Sequence, residues 1–186
     1  MKPNSCGKLA LPDFICNTSP FQYLHQLGCL EILPALVGRV VVPHAVQEEL
    51  QIGQSQGCDV PDLTRLAWVT FRQPVSAPAL PLAADLGRGE SSVLALALES
   101  KSPLVILDDG LGRRAAELLR IPMTGTLGLL LDAKKMGLIP AVLPLLDQLD
   151  RLRFRVSSLR FGSLRSFQPL PPRCLHKADK AAILLS

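Results

Sequence analysis

The chain has 186 residues, a net charge of +4 and 48% hydrophobic residues, a length that fits one domain with a sizeable core. No stretch approaches the ~18 uncharged apolar residues that a membrane helix needs, and no apolar segment of signal-peptide length opens the chain, so we expect a cytoplasmic protein. The five cysteines lack C-x-x-C spacing, which favours free thiols over disulfides or a zinc site.

The charge is unevenly distributed along the sequence. Residues 1–150 carry 12 Lys and Arg against 15 Asp and Glu, whereas residues 151–186 carry 8 against 1. A basic end of net charge +7 is compatible with a polyanionic partner, although such a run can also be a solvated face.

In the first half of the chain, short apolar runs alternate with segments in which apolar residues recur at helical spacing. Residues 14–16 predict a first strand, and Asn17 with the hydroxyls after it predicts a helix start. Apolar residues at helical spacing continue through residue 36, with a break at Gly28. The remaining predictions for this half are a strand at 40–42, a helix at 44–51, a surface loop at 53–62 and an edge strand at 68–71.

The second half contains the unit around which we expect the fold to be built. A helix opens at Gly89 and Glu90, a uniformly apolar strand follows at 103–107, and Asp108 and Asp109 come directly after it. The later predictions are a helix at 111–119, a strand at 120–124, helices at 126–135 and 141–152, and a further strand at 154–157.

This alternation indicates a single three-layer α/β domain with a mainly parallel central sheet flanked by helices. We place the domain at residues 13–157. Residues 158–186 have no sustained period and many helix breakers, and we expect a basic tail that is irregular or poorly ordered.

Polar side chains follow the predicted strands at the edge where parallel sheets bind their ligands. The set is Asn17, Thr18, Ser19, Glu49, Glu90, Asp108 and Asp109. Neighbouring carboxylates repel one another unless a hard cation lies between them, and all-oxygen ligands favour Mg²⁺ or Mn²⁺. Such an ion activates water and neutralises charge on a phosphodiester, so the pattern indicates a nuclease.

Each of these residues also has an ordinary structural interpretation. Glu90 lies in a first helical turn, where the helix dipole favours an acid, and Glu49 could be an exposed helix residue. Asp108 and Asp109 could cap the following helix, although one cap needs only one side chain. Thr18 and Ser19 could be caps as well.

Five stretches of the chain, in order over residues 15–139, resemble the PIN-domain ribonucleases. They are ICNTSPFQYLHQLGCLEILPAL, VVVPHAVQEEL, LGRGESSVLALALE, VILDDGLGRRAA and TGTLGLLLDAKKMGLI. The resemblance is in particular to the bacterial branch of predicted nucleic-acid-binding proteins that are similar to toxin–antitoxin toxins. It implies a parallel sheet with a Mg²⁺- or Mn²⁺-dependent acidic site at its carboxyl edge.

The resemblance also implies roles for individual residues. The catalytic acids fall on Glu49, Glu90, Asp108 and Asp109; the metal ligands on Asn17, Glu90, Asp108 and Asp109; and the orienting hydroxyl on Thr18 or Ser19. Asn17 departs from the family's pattern, which has Asp there. Its amide can offer a carbonyl oxygen to a cation but removes a full charge, so weaker metal binding is expected.

Three functions remain open at this point. The first is a metal-dependent endoribonuclease, a candidate toxin of a toxin–antitoxin pair, that contacts RNA through Arg113, Arg114, Lys134 and Lys135; its partners would be RNA, an antitoxin protein and a second copy of the chain. The second is a catalytically weakened module that binds nucleic acid or protein without cleavage. A phosphoryl-acceptor site at Asp108 and Asp109 fits poorly, because that acid pair should follow the first strand.

Overall fold

The computed structural model describes residues 12–75, 86–152 and 154. Their strands are β1 (Asp13–Cys16), β2 (Val40–Pro43), β3 (Val69–Arg72), β4 (Pro103–Ile106) and β5 (Met123–Thr124). Their α-helices are α1 (Thr18–Gln26), α2 (Ile32–Val37), α3 (His44–Ser55), α4 (Arg88–Glu99), α5 (Gly110–Leu118), α6 (Thr126–Lys135) and α7 (Leu143–Arg151), and a short 3₁₀ helix spans Leu63–Arg65.

The five strands form one parallel sheet in the order β3-β2-β1-β4-β5. From β1 the chain moves to one side through β2 and β3, then returns across the sheet to β4 and β5. Helices α2 and α3 pack on β2, α4 packs on β1, β2 and β4 and contacts both α3 and α5, and α6 packs on β5 and contacts α1 and α2. The predicted three-layer α/β fold is confirmed.

The core lies on both faces of the three central strands. Ile15, Val42 and Ile106 are fully buried, as expected for strands that are covered by helices on each side. Pro103 begins β4 after α4 has ended, since proline cannot continue a helical hydrogen-bond ladder.

Several predicted boundaries were wrong by a few residues. Helix α3 continues through the predicted loop start to Ser55, and the chain turns only at Gly57, whose φ of +82° is favoured by glycine. Strand β5 has two residues instead of five, because Arg120 adopts a φ of +56° at the end of α5 and Pro122 has no amide hydrogen to pair. Helix α7 begins two residues later than predicted.

Some expectations lie at the limits of the described residues. Of the strand predicted at 154–157 only Phe154 is described; it is buried, with its ring edge-to-face with Tyr23 at a centroid distance of 4.6 Å. The basic tail at 158–186 lies outside the described residues. Within them, no helix has the length and apolar character to cross a membrane.

Candidate functional site

The candidate site lies at the carboxyl edge of the sheet, where its strand order changes direction. Asn17 directly follows β1, and Asp108 lies two residues after the end of β4; the two strands are neighbours, with Cys16 level with Ile106. The main-chain N–H of Asn17 donates to the Ile106 carbonyl at 3.1 Å. A crevice between strands whose connections leave in opposite directions is the usual ligand site of an open α/β sheet.

Asn17 is fully buried at the centre of this edge. Its Nδ2 donates to Oε1 of Glu90 at 2.9 Å, which joins the end of β1 to the first turn of α4. Its Oδ1 is buried and has no hydrogen-bond partner. Asn17 is the N-cap residue of α1, but its side chain makes no hydrogen bond to that helix. Its amide binds Glu90 instead, contrary to the capping role that the sequence suggested.

Glu49 lies on the other side of the same space. Its Oε2 accepts from Thr18 Oγ1 at 2.5 Å, and its Oε1 accepts from the Gly89 main-chain N–H at 2.8 Å. A Cβ at Gly89 would lie 2.6 Å from Glu49 Oε2 and 2.9 Å from Asn17 Oδ1, so these two oxygens border one small volume that glycine leaves open.

Asp108 and Asp109 hold the starts of two different helices. Asp109 Oδ1 accepts from the N–H groups of Leu111 and Gly112 at 2.8 and 3.0 Å and caps α5. Asp108 accepts from the N–H and hydroxyl of Thr126 at 2.8 and 2.6 Å and so caps α6. The two adjacent acids therefore bind the starts of two different helices, Asp109 that of α5 and Asp108 that of α6.

The four predicted acids thus form two groups at the sheet edge. Glu49 and Glu90 lie on either side of Asn17, whereas Asp108 and Asp109 face helix starts. Across residues 12–75, 86–152 and 154, no three His, Cys, Asp or Glu side chains are close enough together to hold a metal ion. The donor set that fits a cation is a partial one: the partnerless Asn17 Oδ1 beside the carboxylate of Glu49, with Glu90 on the other side of the amide.

Protonation is perturbed around Asp108. Burial raises the pKa of this carboxyl, and the hydrogen bonds from Thr126 and the charge of Arg113 oppose the rise. Burial also raises the pKa values of the Cys16 thiol and the Tyr23 hydroxyl, and the negative charge of Asp108 raises both further. Tyr23 therefore lies within the field of Asp108.

The predicted RNA-contact residues separate by position. Arg113 and Arg114 lie in the first turns of α5, next to the carboxyl edge, where Arg113 Nη1 donates to the Leu107 carbonyl at 3.0 Å and Arg114 is exposed. Lys134 and Lys135 end α6, about 15 Å along the helix from its start at that edge. Lys134 donates to the Pro140 carbonyl, and Lys135 pairs with Asp132.

Sequence reasoning missed two participants in this site: Gly89 and Thr126. The Gly89 N–H and the Thr126 hydroxyl bind predicted acids, but both positions look like ordinary helix starts in the sequence. Ser19, the second candidate for the orienting hydroxyl, is half-buried in the first turn of α1, and Thr18 is the hydroxyl that contacts Glu49.

Comparison with known proteins agrees with this architecture. The family model for a PIN domain matches residues 13–166. No curated protein matches the chain. The match covers most of the sequence and includes every strand and helix that carries the site, so the chain belongs to the PIN-domain family.

Proposed function

We propose that the protein is a metal-dependent endoribonuclease that hydrolyses RNA phosphodiesters at the carboxyl edge of its sheet. One observation carries the proposal: the buried Oδ1 of Asn17 has no hydrogen-bond donor and borders the same volume as the Glu49 carboxylate. A buried acceptor without a donor is costly and is rare in folded proteins, and a cation would satisfy it.

Asn17 Oδ1 and the Glu49 carboxylate would hold the ion, with the negative charge of Glu90 nearby on the other side of the Asn17 amide; we take the ion to be Mg²⁺ or Mn²⁺ because all the donors are oxygens. When bound, such an ion supplies a water of lowered pKa and neutralises charge on the phosphodiester. The chain's own residues fix the geometry: Thr18 and the Gly89 N–H orient the two oxygens of Glu49, and the Asn17 amide orients Glu90.

Asp108 and Asp109 would contribute from the end of β4, which lies beside the end of β1. Asp109 has one oxygen engaged with α5, and both oxygens of Asp108 accept from Thr126. Arg113 and the exposed Arg114 beside them would provide positive charge for the RNA backbone, and the basic residues within 158–186 would add to it.

A matched pair of variants on α3 tests this proposal. Glu49→Gln removes a carboxylate that borders the Asn17 oxygen, whereas Glu48→Gln removes the neighbouring exposed one, which pairs with Arg88 at 3.2 Å on the surface. With Mn²⁺ and a labelled single-stranded RNA, we expect cleavage by the wild type and by Glu48→Gln, and a loss of about 10²-fold or more for Glu49→Gln. Equal rates for the two variants would exclude this site.

A non-catalytic function is the second candidate, and a specific contact favours it. The Asn17 amide occupies Glu90 Oε1 with an N–H group, where a carboxylate at position 17 would leave that oxygen to a cation. In that case the chain binds RNA or a protein without cutting. RNA binding by a wild type that shows no cleavage in millimolar Mn²⁺ would establish this alternative.

The toxin role, the antitoxin partner and a homodimer belong to the same proposal. If the chain is a toxin, its expression should arrest growth and expression of Glu49→Gln should not. Sedimentation of the purified full chain would report whether two copies associate.

A further inference from the structure

All four predicted acids accept hydrogen bonds from protein donors at the sheet edge. Thr18 and Gly89 donate to Glu49, Asn17 to Glu90, Thr126 to Asp108, and Leu111 and Gly112 to Asp109. Three of these acids bind main-chain N–H groups at helix starts, where the helix dipole favours negative charge. Glu90 is the exception, since it accepts from a side chain, the Asn17 amide.

The hydrogen bond to Glu90 would therefore be lost if position 17 had no side-chain donor, whereas the other three acids would keep their main-chain donors. An amide there donates to a carboxylate, whereas an aspartate would place a second negative charge within hydrogen-bonding distance of Glu90 in a buried position. Like charges in such a place destabilise the fold unless a cation or a proton separates them.

We propose that the Asn17 amide takes the place of a cation at Glu90, so that the acidic site of this chain is stable without metal. The amide N–H₂ group holds Glu90, and the amide oxygen remains open toward Glu49. With Asn17 neutral, Glu49 and Glu90 together carry two negative charges, which balance a single divalent ion. This inference rests on the proposed site but not on its catalytic activity.

Two consequences follow from an amide in this position. Without metal, the wild-type protein should be more stable than a variant with an acidic residue at position 17. The reason is that the wild type has no close pair of like charges at this place. Its affinity for a divalent ion should be lower, since affinity of such sites depends on the number of charged ligands.

The test compares melting temperatures of the full chain in EDTA and in Mn²⁺, without RNA. We expect Asn17→Asp to lower the melting temperature in EDTA by about 4 °C or more, because a charge-assisted hydrogen bond is lost and a like charge is added. We also expect it to bind Mn²⁺ about tenfold more tightly by calorimetry. Gln148→Glu, which adds one negative charge on the exposed face of α7, is the matched control and should change neither value.

A second variant keeps the inference falsifiable if Asn17→Asp folds poorly. Asn17→Asp combined with Glu90→Gln exchanges the two groups, so that the amide at 90 donates to the carboxylate at 17. Recovery of the wild-type melting temperature in EDTA supports the inference. An unchanged melting temperature for Asn17→Asp, or a loss that Glu90→Gln does not recover, would overturn it. Absence of RNA cleavage would remove the proposed activity and leave this result intact.

Discussion

Thr18 Oγ1 donates to Glu49 Oε2 at 2.5 Å and thereby connects the first residue of α1 to the second turn of α3. The two residues follow different strands of the sheet, β1 and β2. The hydroxyl fixes one carboxylate oxygen while the Gly89 N–H fixes the other, so the plane of the Glu49 carboxylate is set by groups from two helices.

Thr18→Val should therefore loosen Glu49 without disturbing α1. The two side chains are both β-branched and similar in shape, so the change removes mainly the hydroxyl. We expect a loss of about 1–2 kcal/mol in the free energy of unfolding, measured by urea denaturation, and a loss of about tenfold in Mn²⁺ affinity. Thr18→Ser keeps the donor and should restore most of both; equal effects of Val and Ser would show that the hydroxyl does not position Glu49.

Addition of Mn²⁺ should raise the melting temperature of the wild type. An ion that binds only the native state stabilises it by about 2.7 kcal/mol at ~100 times its dissociation constant. The measurement is a thermal melt over increasing Mn²⁺, with Glu49→Gln as the reference that lacks one ligand. A wild-type curve that does not move in millimolar Mn²⁺, or that moves equally in the variant, would contradict a cation at this site.

Asp108→Asn should make the fold less sensitive to pH. Because burial raises the pKa of Asp108 above its unfolded value, the native state holds this proton more tightly, and stability falls as the pH rises through the window between the two values. An amide at 108 can still accept from the Thr126 N–H while removing the buried charge. We expect a flatter curve of melting temperature against pH between 4 and 8 in EDTA, and a higher melting temperature at pH 7.

The same substitution should reduce RNA cleavage, and more strongly when combined with Asp109→Asn. Stability and activity would then change in opposite directions at one residue, a common feature of functional sites. A variant that melts lower than the wild type at neutral pH would indicate that the hydrogen bonds of the charged Asp108 outweigh its burial.

Arg114→Ala should weaken RNA binding more than Lys134→Ala does. Arg114 is exposed near the carboxyl edge, whereas Lys134 lies at the far end of α6 with its ammonium on the Pro140 carbonyl. We expect Arg114→Ala to reduce the dependence of log K on log salt by about 0.7, the value for one phosphate contact on a single strand. Fluorescence anisotropy with a labelled RNA measures it, and an equal change for Lys134→Ala would assign RNA to another surface.

Much of the fold could be predicted because its signals are local. Val40 to Val42, the break at Gly28 and the start of β4 at Pro103 each follow from the chemistry of a few adjacent residues. The end of α3 was missed because Gly53 does not end the helix: the helical hydrogen bonds continue to Ser55, and the Gln56 N–H donates to the carbonyls of Ile52 and Gly53. The cost of one glycine in a helix, about 1 kcal/mol relative to alanine, was too small to stop it.

The site was predictable in its location but not in its contacts. The predicted ends of the strands located the site at one edge of the sheet, because parallel strands all end at the same edge. That Asp108 binds the start of α6, 18 residues later, depends on β5 lying beside β4, which no local pattern contains. The pairing of Asn17 with Glu90 likewise joins residues 73 positions apart.

Gly89 offers a way to close this site without altering its charge. A methyl group there would need the space between Glu49 and Asn17, so one of those side chains must move out of it, while every carboxylate and arginine of the edge remains. If the edge binds RNA as proposed, its electrostatic attraction for RNA would persist after the proposed ion site had been filled. A Gly89→Ala protein would then be suited to capture uncut RNA and reveal which sequences the chain selects.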